Sequence, residues 1–281
     1  MKKLYINNTL GAGDHANFLP VLNFLSAKYI VYTDIASTNE NLYKNSIINK
    51  YSLGLKPDLK YVVYYENAKN IPATDFLENS KLISTADLSS IRECNGIIFT
   101  EEEKKDLLSK EPYVNIFSYS TIRQKRINLK IVEKIVNYII DKKRLKVFTS
   151  IPEFDGNNSS RYKWNSIRWE YFPATPYFSR DWVLHISGAF INICGDGGPF
   201  NVSLASKNPN TIGLLTIADK SLALFYNENK YSIVQSTVKC SPCFNPANYD
   251  TCEVYDCVNP INICGDNFNI DEIIAAIDRF C

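Results

Sequence analysis

The sequence has no excess of either charge: 31 lysines and arginines stand against 30 aspartates and glutamates, a formal net of +1. Without a strong field of one sign, nothing draws the chain to nucleic acid or to an anionic membrane surface. It also lacks any run of about 18 apolar residues, so no transmembrane segment is expected. The opening residues reach Asn7 and Asn8 after too short an apolar stretch for a secretory signal. They read as a first strand, and the expected location is cytoplasmic. Internal repeats and low-complexity tracts are missing as well. The short basic runs Arg123–Arg126 and Lys142–Lys146 are either contacts to phosphate or, as short charge runs beside helices usually are, solvated faces.

What is present is a globular composition, 45% hydrophobic, 22% charged and 13% aromatic over 281 residues, enough for two domains of ordinary size. Short β-type runs alternate with helical patterns from the start: "KLYIN", "YIVYT", "KYVVYY", "GIIFT" and "YVNIFSY" are each followed by a polar or helical stretch. This is the βαβ rhythm of an α/β fold with parallel sheets. Ile127, Ile131, Ile135 and Ile139, flanked by Val132, Val136 and Ile140, predict an amphipathic helix. After it the rhythm restarts with "VFT", "WEYFPA", "AFINIC", "TIGLL" and "KYSIVQ", which places a boundary near residue 142: one Rossmann-like unit over 1–142 and another over 143–281. Ile270, Ile273, Ile274, Ile277 and Phe280 form the stripe of a terminal helix, with Asp271 and Glu272 at its dipole-favoured start. Two such units predict a ligand in the cleft between them, at the carboxyl ends of the strands.

Two loops that follow strands carry candidate chemistry. In "GAGDHANFLP", Gly11 and Gly13 permit a tight turn and close approach to a ligand, while a dinucleotide fingerprint fails for want of a third glycine. Asp14 is either an N-cap or a carboxylate held at the cleft as a general base. In "GDGGPFN", Gly197, Gly198 and Pro199 lead into a helix whose backbone N–H groups suit a diphosphate, unless the turn is only a connection. Asn201, at its first turn, can donate a hydrogen bond but cannot carry positive charge. Of eight cysteines, Cys94, Cys194 and Cys281 stand apart, while Cys240, Cys243, Cys252, Cys257 and Cys264 crowd together. The spacing C-x2-C-x8-C-x4-C fits four thiolates around structural zinc or iron, with Cys264 as a spare; buried thiols and disulfides are the alternatives.

Taken together, Gly13-Asp14 with Pro20 six residues on, Asp196-Gly197-Gly198 running into Asn201, and Cys240-Ser241-Pro242-Cys243 ahead of a terminal helix resemble the heptosyltransferases, glycosyltransferase family nine. The resemblance implies the GT-B arrangement, two Rossmann-like domains facing a cleft. It implies transfer of a heptose or other hexose-like sugar, with inversion, from a nucleotide-diphosphate donor to a hydroxyl of a glycan, lipid-linked or protein acceptor, with no cofactor needed for the chemistry. Asp14 takes the place of the catalytic base, with Gly13 beside it. Asp196 takes that of a contact to donor-sugar hydroxyls, and Gly197, Gly198 and Pro199 line the pyrophosphate. Lys163, followed by Trp164, matches the lysine that neutralises donor phosphate; Thr149 and Ser150 match nearby hydroxyl residues. Gly197 and Asn201 stand where the family has a hydroxyl residue and a histidine. Some relatives carry a metal finger at the cysteines; in others these look like a disulfide or reduced thiols. The middle of the chain is shorter than expected of the family, which keeps an alternative in view: a catalytically inactive binding protein or partner subunit with a metal-stabilised cysteine finger.

Overall fold

Strands form at most of the apolar runs, and all their pairings are parallel. In a computed structural model, the described residues are 1–8, 12–36, 39–52, 54–63, 76–77, 79–94, 96–120, 125–149, 170–171, 179–207, 209–242 and 263–281. The first sheet has the order β3-β2-β1-β4, built from β1 (Lys2–Asn8), β2 (Tyr29–Thr33), β3 (Asn49–Lys50) and β4 (Leu59–Val63), with helix α1 (Ala12–Leu25) after β1. Helices α2 (Leu88–Glu93) and α3 (Glu101–Ser109) precede the second sheet. That sheet has the order β10-β9-β8-β5-β6-β7: β5 (Tyr113–Phe117), β6 (Lys146–Thr149), β7 (Glu170–Tyr171), β8 (Ile191–Gly195), β9 (Asn210–Leu215) and β10 (Tyr231–Gln235). Counted from its own first strand this is the doubly wound order, reversing direction between β5 and β8. Its helices are α4 (Leu129–Tyr138), α5 (Arg180–Ser187), α6 (Gly198–Ser206), α7 (Ile263–Asp266) and α8 (Ile270–Phe280).

Two sequence expectations change. β5 pairs with β6 and β8, so the changeover between sheets comes before Tyr113 rather than at residue 142. "GIIFT" is no strand. Its Gly96 lies against the end of α6, where a Cβ would sit 2.1 Å from the Ala205 carbonyl oxygen, and the Ile97 amide donates to that oxygen at 2.8 Å. The run is apolar because it crosses a core: Ile97 is buried among residues of both sheets' helices.

That core is shared. Leu4 and Ile6 of β1, Phe18 and Leu22 of α1, and Phe200 and Val202 of α6 belong to one buried cluster. Both helices are enclosed on nearly every side, which explains why neither shows an amphipathic stripe. The expected cleft is therefore closed along the helices, where α1 packs on α6. At their far ends the two meet at one residue, since Asn23 of α1 donates to the Gly96 carbonyl at 3.1 Å. Arg180 of α5 ties the parts further. It is bidentate to Glu103 at 2.8 and 2.7 Å and donates to the carbonyls of Asn41 and Ile98 at 3.0 and 2.9 Å. The Arg180 guanidinium holds the Glu103 carboxyl down to about 2.

On the other face of the second sheet, Ile131, Val132, Ile135 and Val136 of α4 pack with Ile273 and Ile277 of α8, as both stripes predict. Inside the sheet a chain of amides and hydroxyls sets α6 over the reversal point. Asn115 of β5 donates to Asn192 of β8 at 2.9 Å, Asn192 donates to Ser203 of α6 at 2.8 Å, and the hydroxyls of Ser203 and Thr211 of β9 are hydrogen-bonded at 2.7 Å. Such a network is stabilising only when every member is satisfied, so it specifies one placement of the helix.

Candidate functional site

In an open parallel sheet, loops on either side of a direction reversal part at the carboxyl edge and leave a crevice. In the second sheet that point lies between β5 and β8, so the residues after Phe117 and after Gly195 border it. Asp196, Gly197, Gly198 and Pro199 follow β8 and open α6. Gly197 is extended (φ 170°, ψ −168°), a conformation open to any residue, and a Cβ there would meet nothing nearer than Pro199 Cδ at 3.9 Å. The glycine thus leaves space rather than enabling the turn. The N-cap of α6, Gly197, has no side chain with which to cap the helix, and the first turn holds no acidic residue. Uncapped amides at the positive end of a helix dipole are a place for an anion.

Asp196 is 1% exposed. Its Oδ2 accepts from the Ala218 amide at 3.1 Å, fastening the loop after β8 to the loop after β9, while Lys125 Nζ stands 3.8 Å from Oδ1. Burial raises the carboxyl's pKa, opposed by Lys125 and by the backbone amides of residues 216–218. A sugar hydroxyl would find only Oδ1, and only if it reached this depth.

Lys125 is a residue that the sequence does not single out from its run. It belongs to a basic run expected to be solvated, yet its side chain is 17% exposed and its carbonyl abuts Gly195. The neighbouring Arg126 explains the ordering: Nε donates to the Ser120 carbonyl at 2.7 Å, a second nitrogen donates to the Tyr119 hydroxyl at 2.9 Å, and the guanidinium lies over the Tyr119 ring. The loop is closed by the Ile127 amide donating to Ser118 at 2.8 Å. The available signal was position, because these residues follow the first strand of the second sheet.

Several buried polar atoms along this edge have no hydrogen-bond partner among the described residues: Thr149 Oγ1, Asp196 Oδ1, Asn201 Oδ1 and Thr216 Oγ1. They end β6, follow β8, sit in the first turn of α6 and follow β9, respectively. On the α1 side, Asn7 Oδ1 and Asn17 Oδ1 are in the same condition. A buried polar atom left unpaired costs about 1–3 kcal/mol. Their concentration at strand ends and helix starts marks where hydrogen-bonding partners belong.

Asp14 lies half-buried in the first turn of α1, with Gly13 just before it. His15 beside it meets the Tyr43 hydroxyl through Nδ1 at 2.6 Å, and burial raises the pKa of that phenol. Because α1 and α6 pack together from a shared junction at Gly96, their starts lie at the same end of the molecule. The structure therefore brings Asp14 to the side that carries Asp196, Gly197, Gly198, Pro199, Asn201 and Lys125. Ser150, Lys163, Cys243, Cys252 and Cys257 lie outside the described residues. Cys240 is exposed, on a turn whose Ser241 hydroxyl donates to the Thr216 carbonyl; Cys264 is buried in α7. Among the described residues no group of three or more His, Cys, Asp or Glu side chains is arranged to hold a metal ion, and no helix is long and apolar enough to cross a membrane. A cavity of about 350 Å³ lined by Ile97, Phe99, Lys104, Leu107 and Lys207 lies at the opposite end of α6 and offers no comparable chemistry.

No protein-family model matches the sequence, and no curated protein matches it by sequence. Solved structures do match in fold. The dodecameric iron-containing heptosyltransferase TibC, known from enterotoxigenic E. coli H10407 and solved in complex with ADP-D-β-D-heptose, superposes with a TM-score of 0.65 at 14% identity, covering 99% of this chain and 76% of that one. A family 9 glycosyl transferase from Veillonella parvula gives 0.65 at 10% identity over 99% and 97% of the two chains. E. coli ADP-heptose LPS heptosyltransferase II gives 0.60 at 11% identity over 99% and 98%. The chain has the fold of glycosyltransferases of the heptosyltransferase kind, in divergent form.

Proposed function

We propose that the chain is a glycosyltransferase that moves a sugar from a nucleoside-diphosphate donor to an acceptor hydroxyl. The observation that carries this reading is the start of α6: uncapped, free of acidic residues, with open space at Gly197 and Lys125 at the bordering loop. The diphosphate sits on the amides of Gly197, Gly198 and Phe200, Pro199 having none to donate, and Lys125 supplies the countercharge, the role the resemblance gives to Lys163. Asn201 contributes a neutral hydrogen bond. Asp14 removes the acceptor's proton; the oxygen bonds to the anomeric carbon as the carbon–phosphate oxygen bond breaks, and the diphosphate departs with that electron pair. Attack opposite the leaving group inverts the anomeric centre. Fold neighbours crystallised with ADP-heptose and ADP support an ADP-sugar as the first donor to try.

Cys240, Cys243, Cys252 and Cys257 form, in the same reading, a structural zinc or iron site with no part in the transfer; metal analysis of the purified chain tests it. The isolated Cys94, Cys194 and Cys281 are free thiols, which supports the cytosol as the compartment.

The decisive experiment is a thermal-shift series with ADP-, UDP-, GDP- and CDP-sugars. A true donor at 100 times its dissociation constant adds about 2.7 kcal/mol to stability. If none raises the melting temperature, the transferase reading is wrong. A donor that stabilises the chain without turnover on any acceptor favours the inactive binding protein, for which the histidine-to-asparagine difference at Asn201 speaks.

A further inference from the structure

Pro20 lies inside α1 and has no amide hydrogen, so the carbonyl of Ala16, four residues earlier, loses its helical donor. That oxygen is not left bare. The hydroxyl of Tyr226, from the loop between β9 and β10, donates to it at 2.7 Å. Tyr226 is 2% exposed, and burial pushes its phenol's pKa up, which favours the protonated, donating form. Ala16 is two residues from Asp14, and the residue between them, His15, is gripped by Tyr43. The first turn of α1 is thus held from two sides, by a tyrosine of its own half and by one from the other.

We infer that Tyr226 is a positioning residue for Asp14: its hydroxyl replaces the amide that Pro20 lacks and registers the first turn of α1 against the half that binds the donor. A proline within a helix is a point of bending, and the turn ahead of it tilts unless something ties its free carbonyl. A displacement of about 1 Å at a reacting group is enough to cost roughly 100-fold in rate. The inference rests on the proposed role of Asp14 as the base.

The test is a double-mutant cycle with Tyr226→Phe, which removes only the hydroxyl, and Pro20→Ala, which restores the amide. In the natural chain Tyr226→Phe should lower the folding constant about tenfold and speed amide exchange at Ala16 and Asn17. In the Pro20→Ala chain it should do much less. With a nucleotide sugar, Tyr226→Phe should lower kcat roughly 10- to 100-fold at unchanged donor KM, and Pro20→Ala in the same chain should recover most of the loss. Equal costs in the two backgrounds, or an unchanged kcat, would overturn the inference. If the natural chain turns over no donor, the transferase reading fails by itself. The Asp14 carboxyl titration followed by NMR then decides: a midpoint moved by Tyr226→Phe and returned by Pro20→Ala supports the tie, and an unmoved one defeats it.

Discussion

The two helix starts that follow β1 and β8 lie at the same end of the molecule and differ in charge. The first turn of α1 carries its own anion, Asp14, whereas the first turn of α6 carries none. A helix start attracts one negative charge at modest cost, and where the chain supplies it, an incoming phosphate meets repulsion. Where the chain leaves the place open, the phosphate fills it. In the proposed function this difference gives the α1 side the base and the α6 side the anion site.

The sharpest break comes at Asp14. Asparagine still accepts a hydrogen bond from a helix-start amide but cannot take a proton, so Asp14→Asn should lower transfer by about 10³-fold while donor binding, read by calorimetry, stays the same. A mere cap would leave turnover intact.

Next in size is the clamp that keeps both turns in one body. Glu103→Ala leaves the Arg180 charge buried and unpaired, an expected loss of about 3 kcal/mol in urea titrations at neutral pH. The Glu103 carboxyl is depressed in the fold, so its stabilisation is present above its ordinary 4.5 and lost as pH falls through about 2. The gap between natural and variant chains should close over that acid range.

Giving α6 an anion of its own tests the contrast directly. Gly197→Asp fits the extended backbone and the open space, so the helix should gain a cap and melt slightly higher, while nucleoside-diphosphate affinity falls by roughly 30-fold. Binding that survives this change would place the diphosphate elsewhere. The smallest effect is expected from Lys125→Ala, about a tenfold loss of diphosphate affinity. It also removes the countercharge of Asp196. Because burial raises the Asp196 carboxyl, that group favours the fold below its unfolded pKa and loses this contribution as pH rises through the folded one. The variant's stability deficit should therefore be larger at neutral pH than in acid.

The sheets were legible because their runs are local, and α4 and α8 because each buries a single stripe. "GIIFT" misled because an apolar run crossing between helices has the composition of a strand, and the boundary was displaced because "YVNIFSY" continues the earlier rhythm although it pairs into the second sheet. The glycine turns stood out since their chemistry lies within a few neighbouring residues. Lys125 did not, for its meaning depends on which strand begins the second sheet. Asn17 and Thr216 gave no signal at all: their unpaired oxygens arise only when the fold encloses them. Asp196 stood out in the sequence as a candidate, but its anchoring of the loop after β9 did not.

Gly96 has a further consequence for anyone who would take the protein apart. The connection between the sheets is wedged under Ala205 and bonded to Asn23, and the apolar faces of α1 and α6 on either side of it cover one another. Cutting the gene there would produce two fragments each missing half of a shared interior. Neither is built to be soluble alone, and expressed together they would have to find each other before either could finish folding.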